Sequence, residues 1–200
     1  MSARPWLKSY DPGVPPTIDY PAVPVYHFLE ENARTMPDRT ALVFQPAPGG
    51  NTAGRMSYRE LNEASDRLAA ALSDLGVQKG DRVLLLMVNS PQFIISYYAV
   101  LKLGAVVVAT NPLYSPREME HQALDSGAKV AIVMSRFYPA LKKIQPNTSL
   151  EKMIVTSIKD YMPPLLRFLF TVAKEKKTGD RVAPEAGDLS FTALLARYGP

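Results

Sequence analysis

The chain has 200 residues, enough for one substantial core, and its 46% apolar and 21% charged content is ordinary for a globular protein. The net charge of +4, with a pI near 9.2, is a mild excess; no Arg/Lys run interleaves with aromatics, so nucleic acid is not an expected partner. With no cysteine, disulfides, cysteine-based zinc sites and a thiol nucleophile are all excluded.

Residues 1–23 are proline-rich, with Pro5, Pro12, Pro15, Pro16 and Pro21. They read as an extended arm without regular hydrogen bonding. Trp6, Tyr10, Ile18 and Tyr20 give the arm an apolar payload, which predicts that it lies on a surface. An α/β domain is expected over 24–157. Pro24 can open a helix with Val25, Phe28, Leu29, Ala33 and Met36 on one face. The range 40–45 reads as a strand, 46–54 as a Pro/Gly loop, and 55–57 as a short returning strand, together a β-hairpin.

Ser57-Tyr58-Arg59-Glu60 is a capping box. Tyr58, Leu61, Ala64, Leu68, Leu72 and Leu75 follow at helical spacing, and Gly76 is a left-handed stop. Lys79-Gly80-Asp81 turns the chain into a strand over 82–88. Ser90-Pro91 supplies an N-cap and a first-turn proline for a helix ending at Gly104. A strand follows over 105–109. Ser115-Pro116-Arg117-Glu118 starts another helix, Gly127 closes it, and 129–134 is the next strand. A short helix over 136–144 and a strand over 152–157 complete the domain. These strands do not alternate polar with apolar residues, which argues burial on both faces. The fold class is therefore α/β, three-layered, with a mostly parallel sheet and helices on both faces. The expected strand order is 105, 82, 129, 152, counted by first residue.

The range 158–187 breaks this rhythm as an apolar and basic insertion. Tyr161 to Ala173 is an apolar run, and Lys174-Glu175-Lys176-Lys177 follows it. Pro163-Pro164 would start a helix there. One reading is an interfacial helix that dips Leu165, Leu166, Phe168, Leu169 and Phe170 into lipid and sets Lys174, Lys176 and Lys177 against headgroups. The other, of equal claim, is a helix packed on the protein. Near-continuous apolar residues predict no sharply amphipathic face. Residues 188–200 read as a short helix capped by Asp188 or Ser190. No stretch reaches the roughly 18 uncharged apolar residues of a membrane span, and MSARPWLKSYDPG lacks the apolar run of a secretory signal. A cytoplasmic location is expected, with peripheral attachment at the inner face of the membrane if 161–177 meets lipid.

Chemistry is sparse. His27 and His121 lack partners at the spacing of a helical zinc site, and no G-x-S-x-G elbow is present. Gly49-Gly50-Asn51-Thr52-Ala53-Gly54 lacks the lysine and following helix of a phosphate cradle and reads as a hairpin connection. Asn89-Ser90-Pro91 and Asn111-Pro112-Leu113-Tyr114-Ser115 lie where strands end and helices begin, the edge that ligands favour in such sheets. Well-capped turns are the favoured reading for both. Glu30, Glu31, Glu118 and Glu120 read as solvated helix-face residues. No catalytic, cofactor-binding or metal residue is assigned.

Several separate pieces, in order, resemble the N-terminal part of the adenylate-forming acyl-CoA synthetases. They are NARTMPDRTALVF, SYRELN, LGVQKGDRV and NSPQFIISYYAVLKLGAVVVATNPLYSPREMEHQALDSGAK. The similarity covers roughly 25–157. IKDYMPPLLRFLF and LSFTALLAR resemble the long-chain fatty acid branch. The resemblance implies a ligase that uses ATP and magnesium to make acyl-AMP from a fatty acid and passes the acyl group to coenzyme A. It implies a phosphate loop, a Tyr-Gly-x-Thr-Glu motif, a ribose-binding aspartate and a catalytic lysine, none of which occurs in these residues. The chain thus reads as a truncated N-terminal segment, inactive alone, whose partners are the remainder of the parent chain and a second copy in a homodimer. A stand-alone ligand-binding or interaction module is the alternative.

Overall fold

The computed structural model describes residues 4–45 and 54–199. Helix α1 (Tyr26–Thr35) leads into β1 (Thr40–Phe44), which pairs antiparallel with β2 (Gly54–Ser57). The expected hairpin is present, although its glycine-rich connection over 46–53 lies outside the described residues.

Helix α2 (Tyr58–Asp74) starts on the capping box. The Ser57 hydroxyl accepts the Glu60 N–H at 3.2 Å, and the Glu60 carboxylate accepts the Ser57 N–H at 2.7 Å. Then follow β3 (Arg82–Leu86), α3 (Pro91–Lys102), β4 (Val106–Thr110), α4 (Pro116–Ser126), β5 (Val130–Met134), α5 (Tyr138–Ile144) and β6 (Lys152–Thr156). Gly127 ends α4 at φ 60°, a left-handed conformation that a β-carbon disfavours. Helix α6 (Pro164–Ala173), the two-residue strand β7 (Leu189–Ser190) and α7 (Phe191–Arg197) complete the chain.

The main sheet has five parallel strands in the order β4-β3-β5-β6-β7. The order expected for the first four is the order found. Residue parity along β3 sorts the core into two layers. Val83 and Leu85 pack with Leu68 and Leu72 of α2, Ile95 and Ala99 of α3, and Phe191 and Leu194 of α7. Leu84 and Leu86 face the other way, onto Met119 and Ala123 of α4 and Tyr138 and Leu141 of α5. Each large side chain so buried contributes about 1.5–3 kcal/mol.

Three expectations change. The arm is not wholly irregular, because Pro5–Ser9 forms a 3-10 helix. Trp6, Tyr10, Ile18 and Tyr20 are not buried by the arm's course; all four are exposed, Tyr10 the least at 44% and Tyr20 the most at 81%. Burial on both faces holds for β3 and β5 but not for β4, where Val106 is exposed, because β4 is an edge strand with a neighbour on one side only. The final segment also does more than cap a helix. Ser190 does accept the Ala193 N–H at 3.4 Å, and Leu189 and Ser190 pair with Ile154 and Val155 as the fifth strand.

Candidate functional site

In a sheet of this topology the strand order reverses between β3 and β5, and ligands favour the crevice outside the carboxyl ends there. After β3, Ser90 occupies the N-cap of α3, but its hydroxyl makes no capping bond and is buried without a hydrogen-bond partner. Two residues on, the Gln92 amide donates to the Ser157 carbonyl at 2.8 Å and so ties α3 to the end of β6. Its Oε1 finds no partner. After β5, the Ser135 hydroxyl donates to Asp180 at 3.2 Å, and Thr178 donates to the same carboxylate at 2.5 Å. Thus the loop beyond α6 closes over the carboxyl end of β5.

The turn after β4 is self-contained. Asn111 Oδ1 accepts the Leu113 N–H at 3.0 Å, and Ser115 and Glu118 form a second reciprocal capping box. The Ser115 amide, and then its hydroxyl, hold the Glu118 carboxyl below its ordinary pKa. The capped-turn reading therefore fits 111–115 fully and 89–91 only in part.

Two clefts flank α3. One, of about 430 Å³, is lined by Phe28 and Leu29 of α1, Tyr58 and Leu61 of α2, and Phe93 and Tyr97 of α3 among others. The other, of about 260 Å³, shares Leu42, Phe93 and Ile94 with it and reaches Ser90. Burial pushes the Tyr98 hydroxyl up, and Tyr97 and Tyr58 add to the shift. These walls are apolar and aromatic, and suit packing more than bond-making chemistry.

His27 lies 3.7 Å from Glu31 on the exposed side of α1. His121 lines a shallow surface cleft with Arg117, Glu118 and Asp125. Among the described residues no group of three or more His, Asp or Glu could hold a metal ion. Glu30 is not merely solvated, as it reaches Lys102 at 3.3 Å; Glu120 accepts Asn147 at 2.9 Å.

Helix α6 is the other feature of interest. Leu165, Phe168, Leu169 and Val172 are 70%, 64%, 50% and 73% exposed. Their spacing of three, four and seven residues places them on one face. Leu166 and Phe170, expected with them, are half-buried instead, while Lys174, Lys176 and Lys177 are exposed. The face is thus sharply amphipathic, against expectation, because Arg167 and Thr171 interrupt the apolar run on the opposite side. Val172 was the residue the linear pattern hid; its position one full repeat after Leu165 was the available signal. None of the described helices is long and apolar enough to cross a membrane.

A profile of the AMP-binding enzyme family matches residues 29–192, from α1 into α7. The chain belongs to the AMP-binding enzyme family. Over 177 residues it is 33% identical to a long-chain-fatty-acid–CoA ligase of Bacillus subtilis, covering 88% of this chain and 30% of that protein. Over 159 residues it is 40% identical to the ligase of the same name from Yersinia pestis, covering 78% and 27%. Among solved structures, it superposes on a long-chain-fatty-acid–CoA ligase from Archaeoglobus fulgidus with a TM-score of 0.70 at 23% identity, covering 92% of this chain and 32% of that one. An anthranilate CoA ligase in complex with anthranoyl-AMP gives 0.67 at 26% identity, over 88% and 28%. The chain spans about three tenths of the length of these curated relatives. For this AMP-binding family member the parallel sheet and flanking helices are thus the family's own N-terminal architecture.

Proposed function

We propose that this chain is the N-terminal segment of an ATP-dependent, AMP-forming long-chain fatty acid–CoA ligase. The observation that carries the reading is the family match over 29–192, joined to relatives that are long-chain-fatty-acid–CoA ligases. In the whole protein, a fatty carboxylate attacks the α-phosphate of ATP, pyrophosphate leaves, and the CoA thiolate then displaces AMP from the acyl carbon. Magnesium would offset the phosphate charge from outside these residues. The part played by this chain is structural. Its two-layered core holds the β3 and β5 carboxyl edge rigid, so that neighbouring parts of the protein can be positioned against it. The 200 residues alone are proposed to be inactive, and the arm over 1–23, the α/β domain over 24–157, the insertion over 158–187 and the short helix over 188–200 to be its working divisions.

The test is thioester formation from palmitate, ATP with magnesium, and CoA. A polypeptide that continues this chain through a Ser/Thr/Gly-rich loop and a catalytic lysine should form palmitoyl-CoA, and the 200 residues alone should form none. Thioester from the short chain would overturn its inactivity. Failure of the longer one with every fatty acid tried would overturn the ligase reading. A cytoplasmic location and a homodimer contact in this region are part of the same proposal; light scattering on the longer polypeptide would read the dimer.

A further inference from the structure

Four large apolar side chains of one helix stand in solvent, and the charges around them have one sign. Between Pro164 and Gly179 the exposed ionic groups are Arg167, Lys174, Lys176 and Lys177. The segment's acid does not offset them. Glu175 is buried and paired with Lys159. Asp180, just beyond, is buried too and holds Ser135 and Thr178. Asp160, just before, is taken up by the Ser157 N–H and the Thr156 hydroxyl. Among the described residues, the three carboxylates that flank α6 in sequence, Asp160, Glu175 and Asp180, are thus engaged with the protein, while Arg167, Lys174, Lys176 and Lys177 are exposed.

Lys159 also fixes how the helix sits. Its ammonium reaches Thr171, on the side of α6 away from the apolar stripe, at 3.4 Å, and clamps the helix end through Glu175. Helix α6 packs on the 3-10 turn Ile158–Tyr161 beneath it. The helix rests on its half-buried Leu166 and Phe170, is tethered by Lys159 at Thr171, and presents Leu165, Phe168, Leu169 and Val172 outward.

We infer that α6 is an interfacial helix that lays Leu165, Phe168, Leu169 and Val172 into the surface of an anionic lipid bilayer, with Arg167, Lys174, Lys176 and Lys177 on the headgroup phosphates. A short helix with an apolar face and an all-cationic surround is the composition that binds such a surface, and its apolar side sinks about 5–10 Å. Positive charges without neighbouring acids favour an anionic leaflet over a neutral one. The inference rests on the geometry of α6 and stands apart from the ligase reading.

Flotation of the full chain with phosphatidylcholine vesicles, with and without phosphatidylglycerol, tests it. The chain should float with the anionic vesicles and much less with the neutral ones. Leu169→Asp and Phe168→Ser change exposed side chains, so circular dichroism should be unaltered while binding falls by tenfold or so. Each of Lys174→Gln, Lys176→Gln and Lys177→Gln should weaken binding about fivefold, and added salt should mimic them. No flotation with anionic vesicles would overturn the inference. So would equal binding to both vesicle types, or a dimer in lipid-free solution that Leu169→Asp dissolves, which would assign the face to a second copy. Burial of Leu165 and Phe168 against later residues of a longer polypeptide, read as loss of labelling at cysteines placed there, would also overturn it.

Discussion

Lys102 Nζ lies 2.5 Å from an Asp66 carboxylate oxygen, and the lysine side chain is only 7% exposed. The same ammonium reaches Asn62 at 2.8 Å and Glu30 at 3.3 Å, so one charge at the end of α3 pins α2 and α1. Its partners are themselves partly exposed, which keeps the pair below the 3–5 kcal/mol of a fully buried one. Lys102→Met should lower the unfolding free energy in urea by about 1–3 kcal/mol. Asp66→Asn should cost less, because Glu30 and Asn62 still face the ammonium.

That pin was not legible in the sequence, whereas much of the fold was. Capping boxes and left-handed glycines act within four or five residues, so Ser57-x-x-Glu60, Ser115-x-x-Glu118 and Gly127 could be read directly, and they set the helix starts and stops. The runs of Val, Ile and Leu announced a sheet covered on both faces. Long-range pairings leave no such local mark. Lys102 meets residues far back in the chain, and β7 is two residues long, held by Ile154 and Val155 and by the burial of Phe191 just after it. At the candidate site the apolar and basic character of 161–177 was legible. Which residues face outward was not, because that depends on how Lys159 and Glu175 fix the rotation of α6.

Gly54 opens β2 under a close ceiling. A β-carbon there would sit 2.8 Å from the Tyr161 carbonyl oxygen, a backbone atom that cannot swing aside. Gly54→Ala should therefore push the hairpin from the 3-10 turn Ile158–Tyr161 and destabilise the protein by about 1–3 kcal/mol. Thermal unfolding checks the cost. Hydrogen exchange should show it localised to β1, β2 and the turn.

Tyr161 carries the clearest pH signature. Burial, and secondarily the nearby Asp160, push its hydroxyl up from 10.0 to about 12. A group whose pKa is higher in the folded protein favours folding while it stays protonated in both states. Its contribution is therefore complete below pH 10 and is lost as pH rises toward 12. Tyr98, Tyr138 and Tyr198 are raised as well, so a tyrosinate absorbance titration of the folded protein should show several late-ionising rings, of which Tyr161→Phe removes one. The variant should also lose less stability than the parent across that alkaline window.

Ser90 makes a prediction opposite to the usual rule for its position. Ser57 and Ser115, at φ −76° and −65°, aim their hydroxyls at the third amide of the helix and cap it. Ser90 sits at φ −159°, which swings its hydroxyl off that line, and the Phe93 N–H bonds instead to the Ser90 carbonyl at 3.1 Å. The hydroxyl is left buried and without a partner, so it carries a desolvation cost and returns no capping bond. Ser57→Ala and Ser115→Ala should each lose about 1 kcal/mol. Ser90→Ala should lose nothing and should gain up to about 1 kcal/mol, since it removes an unsatisfied buried group. Urea midpoints of the three variants, compared at equal slope, decide between this account and an ordinary cap at Ser90.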